Sequence, residues 1–493
     1  MPESLGEHTS VPAPQQGSAD PGERRRLRTV VAASLLGTTM EWYDFFLYST
    51  AAGLVFNKLF FPTGDDTVGT MLSFATFAVG FLARPVGGLL FGHIGDRIGR
   101  RRTLAVTMGL MGGATALIGV LPTYEQAGLW APVLLLVLRV LQGVALGGEW
   151  AGAVLLSIEH GPDGRKGRFG SFPQVGLALG LALGTGLFAL LSVWLSDAAF
   201  LDYGWRVAFL VSLVLVGVGI AVRLKVDETP AFRDVERRRT TSRVPVVTLF
   251  KDPTSRRHTY LGMLARWGEG AAFNTWGVFA IAYATTELEL PRTPVLLAVT
   301  VAALVMAVLI PLSGVLVDRQ GALRTYAVGM VAFGVSVFPA FWLFEAGGTW
   351  AFGAALVLTL GVIHAYFYGA QGTLFAALFP AEVRYTGMSF VYQVSGIVSS
   401  GITPLLLTTF LAVGGGTPWL ACGYLVFTSV VSVLATWRIR AADLHLPTGA
   451  KPAAAGVPDA DAPKADGPGA GGPEAGGSEA GGQGEHVRLV AGS

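Results

Sequence analysis

The 493-residue sequence contains little charge and almost no cysteine. Asp, Glu, Lys and Arg make up 14% of the chain, against about 25% in an average soluble domain. Hydrophobic residues make up 52%, and the mean hydropathy is +0.54. This composition excludes an ordinary soluble fold. The single cysteine, Cys422, excludes an intramolecular disulfide and sets redox chemistry aside.

Apolar runs of about 20 or more residues take the place of the missing charge, and each is long enough to cross a hydrocarbon core as a helix. They predict an all-α integral membrane protein with twelve transmembrane helices. The predicted spans are 29–56, 69–94, 103–121, 129–158, 169–195, 205–223, 258–284, 292–317, 323–344, 350–379, 386–412 and 417–437.

Polar stretches divide the chain into five predicted regions. These are a disordered N-terminal tail (1–28), a six-helix bundle (29–223), a cytoplasmic linker (224–257), a second six-helix bundle (258–440) and a disordered Gly/Pro/Ala-rich tail (441–493). Basic residues concentrate in alternate loops, and basic loops stay on the cytoplasmic side. We therefore expect a multi-pass protein of the plasma membrane with both termini in the cytoplasm. Because topology accounts for the basic residues, nothing indicates a nucleic-acid partner.

One loop motif follows the second span, and a degenerate copy of it occurs in the second half of the chain. The first copy reads GHIGDRIGRRR over residues 92–102, and the second reads GVLVDRQG over residues 314–321. A repeat in one register indicates two pseudo-symmetric halves, as in many transporters. Its glycines permit close helix approach, and its acidic residue can meet the positive end of a helix. These properties suit a two-state latch, and its candidate residues, which the family resemblance given below implies to be gating residues, are Gly92, Asp96, Arg97, Gly99, Arg100, Arg101, Asp318 and Arg319.

Charged side chains inside the spans are few, and each is costly in lipid unless it is paired or hydrated. Each is therefore a candidate functional residue. Two carboxylates share one face of the first span, and an Arg and a Glu in the seventh span have the spacing of an ion pair. Convergence on a central cavity would create an anion-selective site with a carboxylate that binds and releases a proton. The residues are Glu41, Asp44, Arg84, Arg139, Arg266, Glu269 and His364.

Structural roles for the same residues stay open at this stage. Arg84 and Arg139 could each be half of an ion pair that locks two helices together, and Arg266 could be satisfied by Glu269 alone. His364 could be a hydrogen-bonded packing residue. The histidines are scattered over different segments, so no metal site, cofactor or membrane-embedded enzyme is expected.

The repeated loop, Gly-x-x-x-Asp-Arg-x-Gly-Arg-Arg in its first copy, resembles the signature of the major facilitator superfamily. Further motifs, in a fixed order over residues 28–440, narrow the resemblance to the metabolite:proton symporter family. They are EWYDF (41–45), GFLARPVGG (80–88), RVLQG (139–143), GGEW (147–150), GSFPQ (170–174), YGWR (203–206), ETP (228–230), YTG (385–387) and YQ (392–393).

The resemblance implies two six-helix bundles that open alternately to either side and move a small solute with a proton. By analogy, Asp44 and Glu41 are the proton-coupling candidates. The second-half loop has Ala322 and Leu323 in place of the basic cluster, which implies a weaker gate there. The predicted substrate-binding residues are Arg84, Arg139, Arg266, Tyr43, Gln174, His364 and Gln393.

Members of that family carry organic acids such as 2-oxoglutarate, citrate or shikimate, or the zwitterions proline and glycine betaine. Three arginines in the spans favour an organic acid, since guanidinium groups bind carboxylates bidentately. Four aromatic residues offer the alternative of a cage for a quaternary ammonium: Trp42, Tyr43, Trp267 and Trp276. We expect proton-coupled organic acid symport by a monomer among membrane lipids. Proline or betaine uptake is the alternative, followed by export and by a non-transporting sensor.

Overall fold

The computed structural model describes residues 21–98, 100–147, 149–162, 164–225 and 245–446. These residues form helices joined by short connections, and the described part contains no strand, so the predicted all-α class is confirmed. Residues 1–20, most of the predicted linker and the predicted C-terminal tail beyond residue 446 lie outside the described residues.

The first half of the chain supplies six long helices, of which the fourth is broken at Leu146 and Gly147. Helix α1 begins earlier than predicted, so residues 21–28 of the predicted tail are helical. The helices are α1 (Pro21–Ala51), α2 (Asp66–Ile98), α3 (Arg100–Gly119), α4 (Trp130–Ala145 and Glu149–His160), α5 (Lys166–Trp194) and α6 (Trp205–Lys225).

The second half supplies six more helices, several of them containing a π-helical turn. They are α7 (Pro253–Asn274, continued to Thr286), α8 (Arg292–Gln320), α9 (Ala322–Ala346), α10 (Gly348–Ala377), α11 (Arg384–Val413) and α12 (Trp419–Arg438). A short helix, Pro245–Lys251, lies within the predicted linker, and residues beyond 440 contact α10, where the His445 N–H donates to the Ala377 carbonyl at 2.8 Å.

Asp252 caps the start of α7 from the predicted linker. Its carboxylate accepts a hydrogen bond from the Ser255 N–H at 2.7 Å, as N-cap residues do. The hydrogen bonds with Ser255 hold the pKa of the Asp252 carboxyl below its usual range. Because the next residue is Pro253, at the first helical position, cap and proline together fix the beginning of α7.

Nine of the described helices are long and apolar enough to cross a membrane. The remaining three long helices are α1 and α7, which carry charged residues of the candidate site, and α3, whose apolar stretch is the shorter Ala105–Gly119. The twelve helices form the predicted fold of two pseudo-symmetric six-helix bundles, here called the N-bundle (α1–α6) and the C-bundle (α7–α12).

Glycines allow α2 and α4 to cross at close range. A Cβ atom on Gly87 would collide with the carbonyl oxygen of Val144, and one on Gly143 with the carbonyl oxygen of Gly80. Small residues at a crossing let two membrane helices approach until their backbones touch. This crossing holds Arg84 of α2 and Arg139 of α4 in the core of one bundle.

The two bundles contact each other along α5 and α8, which run antiparallel. At one end the Asp318 carboxylate accepts hydrogen bonds from the backbone N–H groups of Gly167 (2.6 Å) and Arg168 (3.1 Å). At the other end Arg292 of α8 pairs with Asp197, which precedes α6, at 2.9 Å. Polar contacts therefore join the bundles at both ends of this seam.

Candidate functional site

Hydrogen bonds in the N-bundle join α3 to α4 beside Asp44 of α1. Asp44 is 2% exposed, and Thr115 lies within hydrogen-bonding reach of its carboxylate. The Gln142 side-chain amide donates to the Thr115 hydroxyl at 2.8 Å, and Arg139 Nη1 donates to Gln142 Oε1 at 3.1 Å. The predicted coupling carboxylate and a predicted substrate arginine are thus connected through two uncharged side chains.

The Arg139 guanidinium lies among aromatic rings and is only partly hydrogen-bonded. Its Cζ atom is 4.1 Å from the ring centre of Tyr48 and 4.8 Å from that of Phe45. Its Nε and Nη2 atoms have no hydrogen-bond partner among the described residues. These two nitrogens form one edge of the guanidinium, which is the edge that binds a carboxylate through two parallel hydrogen bonds.

Gly80 makes room for the Arg139 side chain, and a substitution there tests its position. A Cβ atom on Gly80 would lie 2.5 Å from Arg139 Nε, so Gly80→Ala forces the guanidinium to shift. We expect the half-saturating solute concentration to rise about tenfold, the effect of weakening one charge-assisted hydrogen bond. Uptake kinetics measure it. Gly109→Ala is the matched control, because a Cβ atom there meets nothing within 4 Å. An equal rise of the half-saturating concentration in both variants would contradict the displacement of Arg139 as the cause.

Arg84 presents a guanidinium edge of the same kind as that of Arg139. The residue is 4% exposed, and its Nε and Nη2 atoms have no hydrogen-bond partner among the described residues. Its Cζ atom lies 4.1 Å from the ring centre of Phe81 and 4.7 Å from that of Phe45. Glu41, the second carboxylate predicted for coupling, is partly exposed and close enough to Arg84 to interact electrostatically.

In the C-bundle, Arg266 and Glu269 of α7 form the ion pair that their spacing predicts, with 3.5 Å between Nε and Oε2. Both are at most 3% exposed. Arg266 Nη1 donates to the hydroxyls of Ser399 (3.0 Å) and Ser395 (3.3 Å). Its Cζ atom lies 3.9 Å from the ring centre of Tyr392. Arg266 is therefore paired with a carboxylate of the protein, unlike the two arginines of the N-bundle, although its Nε atom also has no hydrogen-bond partner among the described residues.

His364 of α10 lies beside this pair rather than alone in the helix. Its Nε2 atom is 3.9 Å from Glu269 Oε1, and neither ring nitrogen has a hydrogen-bond partner among the described residues. The imidazole stacks on the ring of Tyr368, with centroids 5.3 Å apart. The structure therefore brings His364 to the candidate site, in contact with its carboxylate and an aromatic ring.

The predicted amides occupy different places. Gln174 of α5 is buried, accepts the indole N–H of Trp150 at 2.7 Å, and donates to Gln371 Oε1 of α10 at 3.4 Å. Gln393 is 7% exposed, and its Oε1 atom has no hydrogen-bond partner in the described part of the chain. Gln174 thus links the two bundles, whereas Gln393 keeps a free acceptor.

The aromatic residues proposed for a quaternary ammonium cage face different neighbours. The Tyr43 hydroxyl donates to the Ala208 carbonyl of α6 at 3.0 Å, so its polar atom faces away from the arginines. The Trp267 indole contacts the Tyr424 hydroxyl at 3.3 Å, and Trp276 packs among phenylalanines of α9. Only Trp42 lies beside the site, 5.7 Å from the Arg84 Cζ atom. These four side chains do not form one cage.

The predicted gate can be examined only in its second copy. Asp318 caps the N-terminal end of α5 across the bundle boundary, where backbone N–H groups and the helix dipole favour a carboxylate. Arg319 is exposed. Gly99 lies outside the described residues, and no described side chain is available for the remaining first-copy positions: Gly92, Asp96, Arg97, Arg100 and Arg101.

Asp318→Asn tests this cap. The amide keeps one acceptor oxygen but loses the charge and one of the two hydrogen bonds. We expect the forms that are open at this end to become about tenfold more populated, as for loss of one hydrogen bond to a charged group. Maleimide labelling of Thr373→Cys, a buried seam position, measures this, because Cys422 is buried. Asp197→Asn is the control, since that side chain is 89% exposed; faster labelling there as well would contradict the cap.

Several residues of the site escaped the sequence analysis. Thr115, Gln142 and Gln371 connect the charged side chains, but uncharged polar residues do not stand out in a hydropathy pattern. Hydrogen-bonding side chains within membrane helices commonly join neighbouring helices, so amides inside apolar spans were the available signal. Gln142 and Trp150 lie in two of the family motifs, RVLQG and GGEW, but the motifs alone assign them no role.

The fold and the site together define a class of protein. Twelve membrane helices in two bundles surround buried charged side chains contributed by both bundles, and the described residues contain no group of His, Cys, Asp and Glu able to hold a metal. This is the architecture of a secondary transporter, in which substrate sites lie near the bilayer midplane between the repeats.

Comparisons with known proteins agree that the chain is a transporter. Residues 29–244 match the family described as sugar (and other) transporters. The chain is 39% identical to the inner membrane metabolite transport protein YhjE of Escherichia coli K12, over 76% of this chain and 86% of that protein. It is 38% identical to the shikimate transporter of the same organism, over 83% and 93%. It is 32% identical to the proline/betaine transporter, over 88% of each chain. The chain belongs to the major facilitator superfamily and, within it, to the metabolite:proton symporter family.

Solved structures support the fold. The proton:xylose symporter XylE of this superfamily superimposes with a TM-score of 0.67 at 16% identity, over 85% of this chain and 96% of that one. A partially occluded inward-open form of the same protein gives a TM-score of 0.66. At this level of identity the similarity concerns the arrangement of helices alone. The protein is a transporter, and not an enzyme.

Proposed function

We propose that this protein is a proton-coupled symporter of a small organic acid, of the 2-oxoglutarate, citrate or shikimate type. The observation that carries the proposal is a pair of buried guanidinium edges, on Arg84 and Arg139, without hydrogen-bond partners among the described residues. An unsatisfied buried charged donor is costly, so such an edge indicates a missing acceptor. A carboxylate fits both its geometry and its charge.

The charge of the buried site favours an anion over a zwitterion. The fully buried charged side chains among the described residues are three arginines and two carboxylates: Arg84, Arg139, Arg266, Asp44 and Glu269. When all are ionised, positive charge is in excess, and each proton taken up adds to it. An organic acid anion reduces that excess, whereas a zwitterion leaves it unchanged.

The aromatic rings near the site also favour an acid. Phe45, Phe81, Tyr48 and Tyr392 already lie against guanidinium groups of the protein, at 3.9 to 4.8 Å from their ring centres. Recognition of a quaternary ammonium needs free ring faces. The higher identity to the shikimate transporter than to the proline/betaine transporter agrees with this preference.

Asp44 is the proposed proton site, and the chain through Thr115 and Gln142 is the proposed link to substrate. With Asp44 ionised, its negative charge reduces the excess of positive charge in the buried site, where Gln142 and Thr115 connect Arg139 to the surroundings of Asp44. Protonation removes that negative charge, so the Arg139 charge becomes available to a substrate carboxylate. Proton and acid then neutralise one another, and the occupied site can pass through the closed form without a large desolvation cost.

Orientation and gating extend the proposal. We infer a plasma membrane protein with cytoplasmic termini, in which Glu41 assists Asp44 and Arg266, His364 and Gln393 complete the solute site. Asp318 and the first-copy loop would form the cytoplasmic gate. A single chain supplies every proposed group, so a monomer among membrane lipids is sufficient for transport.

The test is uptake into proteoliposomes under an inward proton gradient. The panel is 2-oxoglutarate, citrate, shikimate, proline and glycine betaine, each with and without a protonophore. Accumulation of one of the acids that disappears with the protonophore is the expected result. Accumulation of proline or betaine alone would replace the acid by a zwitterion, and acid uptake that is indifferent to the protonophore would remove proton coupling.

A further inference from the structure

Six side chains from five helices form a closed ring of contacts that passes through both bundles. Two of them, the ion pair of α7, carry charge, and the other four are uncharged. The ring consists of Arg266, Glu269, Gln371, Gln174, Trp150 and Tyr392.

Half of the ring is a chain of hydrogen bonds whose direction is fixed by its first member. The Trp150 indole only donates, and it donates to Gln174 Oε1 at 2.7 Å. Gln174 Nε2 then donates to Gln371 Oε1 at 3.4 Å, and Gln371 Nε2 donates to Glu269 Oε2 at 2.9 Å. Each amide accepts on one side and donates on the other, so the chain must end on an acceptor. Glu269 Oε2 is that acceptor.

The other half of the ring consists of stacked groups. The Trp150 and Tyr392 rings lie 4.0 Å apart with an angle of 16° between their planes. The Arg266 guanidinium lies on Tyr392, with its Cζ atom 3.9 Å from the ring centre. The ion pair between Arg266 Nε and Glu269 Oε2, at 3.5 Å, closes the ring.

The ring crosses from one bundle to the other twice. Trp150 and Gln174 belong to α4 and α5 of the N-bundle, and the other members belong to α7, α10 and α11 of the C-bundle. One crossing is the stack of Trp150 on Tyr392, and the other is the hydrogen bond between Gln174 and Gln371. A rocking movement that separates the bundles at this level must break both, and both act on Arg266, one through its stacking partner and one through its counter-ion.

We propose that this ring stabilises the closed, substrate-free form of the transporter, and that Gln371 and Trp150 are its positioning residues. In the empty protein Glu269 stands in for the solute carboxylate on Arg266, and Gln371 holds it there. A solute carboxylate that competes for Arg266 releases the end of the chain. The ring therefore serves the return of the empty carrier, whereas the loaded carrier closes around solute. This inference rests on the proposed transport of an organic acid.

The test compares two transport modes in proteoliposomes. Net proton-driven uptake requires the empty carrier to return, while exchange of internal for external solute does not. Gln371→Met keeps the side-chain length but removes the amide, and we expect net uptake to fall about tenfold, the effect of losing one hydrogen bond to a charged group. Exchange should change less than about twofold.

Trp150→Phe is the companion variant, because it keeps an aromatic ring on Tyr392 and removes only the indole donor. It should lower net uptake in the same selective way but to a smaller extent. The double variant should be no worse than Gln371→Met alone, because both changes break one chain. Equal loss of net uptake and exchange, or additive losses in the double variant, would overturn the proposal and indicate ordinary packing.

A measurement without solute separates this inference from the proposed function. Spin-label pairs at Glu125→Cys and Trp350→Cys, and at Glu159→Cys and Glu382→Cys, report the separation of the bundles at either end of the molecule, since all four positions are exposed. Gln371→Met should add a longer-distance component to one pair. Distances unchanged in both pairs would contradict the ring, whatever solute the protein carries. Failure of every acid in wild-type uptake would contradict the proposed function and the stand-in role of Glu269, but not the effect of the ring on the closed form.

Discussion

Asp44→Asn is expected to abolish proton-driven accumulation of the solute while sparing exchange. A pH difference of one unit is worth about 1.4 kcal/mol per proton, which supports about tenfold accumulation with one coupled proton. The amide cannot take up a proton, so the proton gradient no longer drives transport. The ratio of internal to external solute concentration should therefore fall to about one. Asparagine has nearly the shape of aspartate, and Thr115 keeps a polar neighbour. Binding and exchange of solute should therefore survive.

Asp66→Asn is the matched control, because Asp66 is exposed at the start of α2 and makes no contact with the site residues among the described contacts. It should accumulate solute like the wild type. Accumulation that persists in a correctly folded Asp44→Asn protein would remove Asp44 from the coupling role and direct attention to Glu41 or Glu269.

Arg84→Lys should raise the half-saturating concentration of the organic acid about 100-fold. Lysine keeps the positive charge but lacks the flat edge formed by Nε and Nη2, so it cannot hold a carboxylate through two parallel hydrogen bonds. A hydrogen bond to a charged group contributes about 1.5–3 kcal/mol, and about 1.4 kcal/mol is a factor of ten. Initial uptake rates over a range of solute concentrations give the value.

Arg440→Lys is the control for this change, since that residue is exposed beyond the end of α12. An unchanged half-saturating concentration in Arg84→Lys would mean that the free edge of Arg84 does not bind solute. Of these two arginines, only Arg139 would then bind the solute carboxylate. Arg139→Lys would be the next variant to measure.

The charged part of the site is readable from the sequence because ionisable residues stand out in apolar spans. Asp44, Arg84, Arg139, Arg266 and Glu269 are all buried as expected, and the spacing of the last two predicts the ion pair that the structure contains. The twelve-helix fold follows from the lengths of the apolar runs and from the repeated loop. Each of these features depends on local composition.

Contacts between distant segments were not readable in this way. The links from Gln174 to Gln371 and from Trp150 to Tyr392 depend on how closely two bundles approach, which no residue spacing records. The sequence does not show side-chain direction either. Tyr43 was therefore predicted to lie in the solute site, although its hydroxyl donates a hydrogen bond to a backbone carbonyl of α6. Helix boundaries shifted where polar caps such as Asp252 start a helix before the apolar run begins.

Solute-driven proton movement is the most direct measurement of the central claim. Purified protein is placed in liposomes containing a trapped pH dye, with no initial pH difference, and the organic acid that the uptake panel identifies is added outside. Proton-coupled symport predicts acidification of the interior that depends on the acid, is absent with proline or betaine, and is lost in Asp44→Asn. Entry of the labelled acid without any change in internal pH would contradict the account.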